Sequence, residues 1–185
     1  MIKKLLLIIL VLNFLSINLQ SKENIMIMKT KYGEVEIELY NDTAPNHVKR
    51  FKELADTGKF DGVVFHRVIE GFMAQTGDIK YGNSSNADYN LSLAGTGGSD
   101  LPNLKAEFSE IPHVRGILSA ARSSDPNSSN SQFFICLDNA PHLDRQYSVF
   151  GKVTKGMEFI DKIKKGAQGS GAVDEPDKII TLKSK

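Results

Sequence analysis

The chain has 185 residues, 41% of them hydrophobic and 24% charged, with 23 Lys and Arg against 22 Asp and Glu. This suits one soluble globular domain whose core folds without staples, and a formal charge of +1 supplies no field that would gather nucleic acid or an acidic surface. The single cysteine, Cys136, excludes an intrachain disulfide and a cluster of thiolate metal ligands.

Lys3 and Lys4 precede the apolar run Leu5 to Leu12, which extends through Phe14 and Leu15. That is the pattern of a secretory signal, and its apolar length falls short of the roughly 20 residues a membrane-crossing helix needs. Residues 1–21 are therefore set aside as a signal peptide or signal anchor, with 22–185 as the folded domain, and the expected location is the cell envelope.

Beyond the leader, Glu34, Glu36 and Glu38 alternate with Val35, Ile37 and Leu39, the period of a strand with one wet and one buried face. Pro45 follows Asp42 and Thr43, and Val48, Phe51, Leu54 and Ala55 recur at helical spacing up to Gly58, which predicts an amphipathic helix opened by proline. Val63 to Ile69 reads as a strand covered on both faces, with Phe65, Arg67 and Ile69 on one side. Gly116 to Ala121, Gln132 to Leu137 and Tyr147 to Val153 are predicted as short strands, Met157 to Ile163 as a second helix and Ile179 to Leu182 as a last strand. Asp78 to Leu104 is rich in Gly, Ser and Asn and reads as a long surface loop. Its Gly95-Thr96-Gly97-Gly98 lacks the Gly-Lys-Ser/Thr ending of a phosphate cradle and is assigned to a turn. Many short strands with two separated helices predict a mainly β fold, a closed or nearly closed barrel with helices over its ends.

The chemistry is first defined by what is missing. His47, His66, His113 and His142 show no metal-ligand spacing, and no Gly-x-Ser-x-Gly elbow presents a nucleophilic serine. Cys136, inside the apolar run Phe133 to Leu137, is expected to be a buried, inert thiol. What remains is Arg67 in an apolar strand, followed by Phe72, Met73 and Gln75, and a second stretch in which Gln132, Phe134 and Cys136 share one face. A charge among apolar neighbours is costly without a partner or a purpose. Taken alone, Arg67 fits a structural ion pair at least as well as a binding role.

The two stretches decide the matter. F-H-R-V-I-E-G-F-M-A-Q-T-G-D, from Phe65 to Asp78, and S-Q-F-F-I-C, from Ser131 to Cys136, resemble the two most diagnostic signatures of the cyclophilin family. The resemblance extends from about Ile25 to Leu182 and includes Thr43-Ala44-Pro45, Gly116-Ile117-Leu118-Ser119 and Val149-Phe150-Gly151. It implies an eight-stranded antiparallel closed β-barrel capped by two helices, and peptidyl-prolyl cis/trans isomerisation without cofactor or metal. The implied partners are proline-containing client polypeptides, met by a monomer with no membrane contact beyond the leader. Carried over by position, Arg67 becomes the central catalytic residue. Phe72, Met73, Phe134 and Leu143 form the proline pocket, Gln75 and Gln132 its polar walls, and Ala121 and Arg122 the adjoining peptide groove. Tyr147 would lie near the prolyl carbonyl, and it matches the bacterial-type pattern, which directs the export prediction to a periplasm. His142 stands at a substrate-facing position where many members have Trp. Ile79 to Ala94 resembles an insertion relative to shorter bacterial-type members and is read as a tolerated surface excursion. A proline-binding module without turnover would keep the pocket alone; the intact Arg67, Gln75, Phe134 and Tyr147 favour an enzyme.

Overall fold

The computed structural model describes residues 24–185, so the predicted leader lies outside the described residues. The strands are β1 (Ile25–Thr30), β2 (Gly33–Leu39), β3 (Arg67–Ile69), β4 (Met73–Thr76), β5 (Ile117–Ala120), β6 (Phe133–Cys136), β7 (Val149–Lys155) and β8 (Thr181–Ser184). Helices α1 (Pro45–Asp56) and α2 (Met157–Ile160) and a 3-10 turn at Pro141–Leu143 complete the elements. The spatial order is β3-β4-β6-β5-β7-β2-β1-β8, with antiparallel pairing throughout.

The β2 alternation holds, since Val35, Ile37 and Leu39 are buried while the glutamates between them face outward. Helix α1 begins at Pro45 as predicted, but Ala44 offers no side-chain cap. The free N–H groups of its first turn donate instead to Glu107, from Asn46 N to Oε1 and from His47 N to Oε2, each at 3.1 Å. A carboxylate there meets both the orphan donors and the positive end of the helix. Phe51 of α1 drives edge-on into Phe133 at 5.0 Å, and Phe60 and Phe150 complete the ring cluster at the barrel centre.

The expectation of a closed strand ring is corrected. β3 and β8 do not pair, and the sheet curls into a half-barrel whose seam is bridged by irregular chain. Across it, Gly62 N donates to Ile179 O, Phe65 N to Asp177 O and Val68 N to Gly171 O, each at 2.8 Å. Gly171 sits at φ +73, and a Cβ there would lie 2.4 Å from Ile69 Cγ1, so only glycine passes between β3 and the returning strand. The free edge of β8 is covered by side chains: Leu182 N donates to Asp61 and Ser184 N to Asp56, a protection against edge pairing.

This irregular seam also corrects the reading of Val63 to Ile69. Regular pairing begins only at Arg67; Phe65 turns into the barrel core with Val63 and Val68, while Ile69 packs outside. Phe65 and Arg67 therefore do not share a face. The second helix ends three residues before the predicted Ile163, and the last strand is shifted to Thr181–Ser184. Cys136 is fully buried, and burial pushes its thiol up to about 12, in keeping with an inert group.

Apolar side chains form two clusters on opposite faces of the sheet. The larger fills the barrel, and the smaller joins Met73, Ile117, Phe134, Cys136, Ala140, Leu143 and Val149 outside it. The β6 alternation divides them, with Phe133 and Ile135 inward and Phe134 and Cys136 outward.

Asp78 closes the base of the long loop. Its Oδ1 accepts from Lys80 N and Tyr81 N at 3.1 and 3.0 Å, and its Oδ2 from Gly95 N and Gly97 N at 2.8 and 2.9 Å. Both ends of the Ile79 to Ala94 excursion are thus tied to one buried carboxylate. His66 packs directly under Gly95, whose Cβ would lie 3.1 Å from the ring.

Neither ring nitrogen of His66 has a hydrogen-bond partner; the neighbouring Val64 carbonyl instead accepts from Thr76 Oγ1 at 2.9 Å. Burial lowers the His66 pKa from 6.5 to about 4, the pull of Asp78 notwithstanding. The folded state therefore requires the neutral ring: its stability contribution is complete above pH 6.5 and is lost as pH falls toward 4. The full loss is about 3 kcal/mol. Thermal melts of the wild type and His66→Asn between pH 7.5 and 4 should show the smaller acid-side drop in the variant; equal drops would contradict this.

Candidate active site

Pairing register places the site on the outer face. Arg67 of β3 faces Gln75 of β4, Gln75 faces Phe134 of β6, and Phe134 faces Ser119 of β5. One row of residues across four strands thus carries a cation, an amide, an aromatic ring and a hydroxyl.

Beside the row lies a cavity of about 120 Å³ lined by Arg67, Phe72, Met73, Gln75, Ala121, Arg122, Phe134, Leu143 and Tyr147. The remaining two predicted residues stand apart. Gln132 lines a neighbouring groove of about 250 Å³ that shares Gln75, Ala121 and Arg122 with the first. His142 is exposed on the 3-10 turn and does not line the cavity; its ring meets Phe72 at 5.2 Å. That turn presents Leu143 inward, which leaves the preceding side chain on the rim.

Arg67 is half-buried and held on two sides. Its Nε donates to Ser170 O at 3.1 Å and Nη1 to Gln75 Oε1 at 3.3 Å. Gln75 Nε2 donates to Gln132 Oε1 at 3.0 Å, and Gln132 Nε2 donates to Gly95 O and Gly97 O at 2.9 and 2.8 Å. The terminal carbonyls fix the orientation of both amides, since an oxygen cannot face a carbonyl. The same two glycines supply the N–H groups that bind Asp78, and a Cβ on Gly97 would stand 2.5 Å from that carboxylate. A continuous path of hydrogen bonds therefore runs from Asp78 through the glycine turn and two glutamines to the guanidinium. Among the described residues, Arg67 makes no ion pair.

Arg122 makes none either. Its carbon centre lies 4.4 Å from the Tyr147 ring centroid, a cation–π contact, and its nitrogens donate to Gln146 O and Ser123 O. It binds the end of β5 to the segment that carries Tyr147.

Three supporting residues escaped the sequence reading. Behind Phe134 and Tyr147, His113 Nδ1 meets Asp144 Oδ1 at 3.0 Å and Nε2 meets Ser119 Oγ at 3.1 Å. The order Ser–His–Asp is that of a hydrolase triad, but Ser119 is fully buried and lines neither cavity, so its oxygen cannot reach a substrate. Burial lowers the His113 pKa against the pull of Asp144, whose carboxyl is held low by bonds from His113 N and its ring. No local motif marks this group; Ser119 lay within the quoted Gly116 to Ser119 stretch, yet its partners come from other loops.

The site has no cluster of three metal-ligating side chains among the described residues. What it offers is an oriented permanent cation beside a cavity with one apolar wall, and an adjoining groove.

Comparison with known proteins agrees. Residues 25–184 match the family described as cyclophilin type peptidyl-prolyl cis-trans isomerase/CLD. The chain is 55% identical over 159 residues to a probable peptidyl-prolyl cis-trans isomerase of Brucella suis biovar 1, covering 85% of this chain and 81% of that one. Among solved structures it superposes on the cyclophilin AquaCyp293 from Hirschia baltica with a TM-score of 0.74 at 28% identity, over 88% of this chain and 74% of the other. It also superposes on a Cryptosporidium parvum cyclophilin type isomerase crystallised in the presence of the dipeptide Ala-Pro, with a TM-score of 0.73 at 28% identity, over 87% and 98% of the two chains. A matched family over nearly the whole described chain, on a sheet that brings Arg67 to a cavity walled by Phe72, Met73, Phe134 and Leu143, leaves one conclusion: this chain belongs to the cyclophilin-type peptidyl-prolyl cis-trans isomerases.

Proposed function

We propose that the Arg67 guanidinium is the catalytic group and that the cavity beside it holds the prolyl ring of a client polypeptide. The observation that carries this reading is a permanent cation without a carboxylate partner among the described residues, held by Ser170 O and Gln75 Oε1 at the edge of a pocket walled by Phe72, Met73, Phe134 and Leu143. An X-Pro bond is an amide whose partial double bond sets a barrier of roughly 18–20 kcal/mol to rotation. Isomerisation makes and breaks no bond to carbon, so the site needs no nucleophile, metal or group that titrates near neutrality. At the twisted geometry resonance is lost and the prolyl nitrogen regains a lone pair. A fixed donor beside that nitrogen then stabilises the transition state more than the planar ground state.

Phe72, Met73, Phe134 and Leu143 grip the ring, and the half of the imide on the carbonyl side turns. Ala121, Arg122 and Gln132 hold the peptide backbone in the adjoining groove, and Tyr147 stands near the prolyl carbonyl. His142 serves the rim through its contact with Phe72. With Nε and Nη1 of the guanidinium already occupied, Nη2 is the donor left for substrate; a lysine has no such fork. A preorganised donor contributes about 2.7–4 kcal/mol, so the pocket and groove supply any acceleration beyond two to three decades.

The leader supports a location as well. Lys3, Lys4 and the apolar run after them fit export of the enzyme to a periplasm or envelope, where newly translocated chains offer proline bonds to isomerise. No helix among the described residues is long and apolar enough to cross a membrane.

Arg67→Ala should keep the fold, seen as an unchanged circular dichroism melt, and lose about 10²–10³ in kcat/KM on a short proline peptide; parental activity would end the assignment. For export, intact-mass measurement of protein recovered from the producing cell's envelope should give a chain beginning near residue 22, or an uncleaved chain in the membrane fraction. A soluble cytoplasmic chain that retains Met1 or Ile2 would contradict it.

A further inference from the structure

The hydrogen count behind the cavity wall has two solutions. His113 Nδ1 faces Asp144 Oδ1 at 3.0 Å, a carboxylate that only accepts, so Nδ1 carries a proton. Nε2 faces Ser119 Oγ at 3.1 Å, and the same hydroxyl lies 3.0 Å from Ser148 O, which also only accepts. With a neutral ring, one hydroxyl proton has two acceptors. With an imidazolium, Nε2–H donates to Ser119 Oγ and the hydroxyl proton belongs to Ser148 O. Either arrangement leaves Ser148 O satisfied, because Ala120 N donates to it at 3.0 Å.

We propose that His113 is a positioning residue of the isomerase site: its Nε2 proton decides whether the Ser119 hydroxyl ties β5 to the Ser148 carbonyl or to the ring, and so how Phe134 and Tyr147 seat against the prolyl ring. The proposal rests on reading the cavity as the proline site. Each partner of the imidazole, and the Ser148 carbonyl beyond Ser119, is joined to a cavity residue. Asp144 follows Leu143, Ser148 follows Tyr147, and Ser119 stands opposite Phe134 in the sheet. The imidazole itself lies parallel to Phe134 at 6.3 Å, tilted by 21°, and meets Tyr147 edge-on at 6.5 Å. Its side chain is wholly buried, so a change of protonation is communicated through these contacts and not through solvent.

The groups that bear on the ring come from several elements. Asp144, after the 3-10 turn, favours the charged form, and Arg145 beside it reinforces the ionised carboxylate. His142 on the turn opposes a second positive charge. Cys136 of β6, in the same apolar cluster, is neutral, and Arg122 lies against the Tyr147 ring. Burial is the largest influence and keeps the ring neutral at pH 7, so the exchange belongs to mild acid, below the ordinary histidine range of about 6.5.

The test is NMR of the wild-type protein with 15N-labelled histidine and labelled Phe and Tyr rings, titrated from pH 8 to 5, beside kcat and KM on a proline peptide. The expected result is the Nδ1–H tautomer at pH 7.5 and a single protonation below pH 6.5 that the Phe134 and Tyr147 ring signals follow with the same midpoint. KM should change there by about 2- to 10-fold, the range one hydrogen bond commands, with kcat nearly constant. Ser119→Ala removes the acceptor of the charged ring and should move the midpoint to lower pH. An Nε2–H tautomer at neutral pH, or Phe134 and Tyr147 signals that ignore the His113 titration, would overturn the proposal. If a proline peptide fails to shift those ring signals at any pH, the site reading itself falls, and this inference with it.

Discussion

The site depends on one buried carboxylate. Asp78 accepts four backbone N–H groups and thereby holds Gly95 and Gly97 with their carbonyls toward Gln132. Those carbonyls dictate which way each glutamine amide points, and the second amide presents an oxygen to Arg67. A guanidinium on a flexible stem would otherwise sample many rotamers, and freezing it during the reaction would cost entropy. Here the cost is met on folding, so the guanidinium is already oriented in the free protein. The same geometry accounts for the long excursion at Ile79 to Ala94. Both its ends are fixed to Asp78, so its length is decoupled from the position of Arg67, and extra loop residues carry only a slowly growing entropic cost.

The division of apolar side chains into two clusters is the second constraint. The inner cluster makes the barrel; the outer one, around Met73, Phe134 and Leu143, is a small core left open on one side. The apolar wall of the cavity at that opening continues a packed core, and it is stiff for that reason. The polar row from Arg67 to Ser119 crosses it at right angles to the strands. Reaction geometry is thus set by sheet register, which a shift of one residue would send to the opposite face.

Much of this was legible in the residues. The motif from Phe65 to Asp78 contains the arginine, the amide, two pocket residues and the anchoring carboxylate, and local spacing alone placed β2, α1 and the two faces of β6. The failures have physical causes. β1 was not read as a strand because Ile25 and Ile27 on its half-buried face are as apolar as Met26 and Met28 on its inner one, so burial alternates while hydropathy does not. β4, Met-Ala-Gln-Thr, buries three of its four residues, so no alternation marks it. Phe65 was placed beside Arg67 because two-residue alternation was assumed through a segment that leaves the ladder at the barrel seam. His142 stands on the rim against Phe72, because the turn directs Leu143 into the cavity. His113 and Asp144 come together only through the loop after the 3-10 turn, a contact that no spacing encodes.

The central claim is that Arg67 acts through the orientation the glutamine path gives it. A double-mutant cycle on kcat/KM with Gln75→Met and Arg67→Ala isolates that dependence. The account predicts that Gln75→Met lowers kcat/KM about tenfold, or ~1.4 kcal/mol, when Arg67 is present and changes it little when Arg67 is already alanine. Equal losses in both backgrounds would mean that Gln75 and Arg67 act independently, and the account would be contradicted.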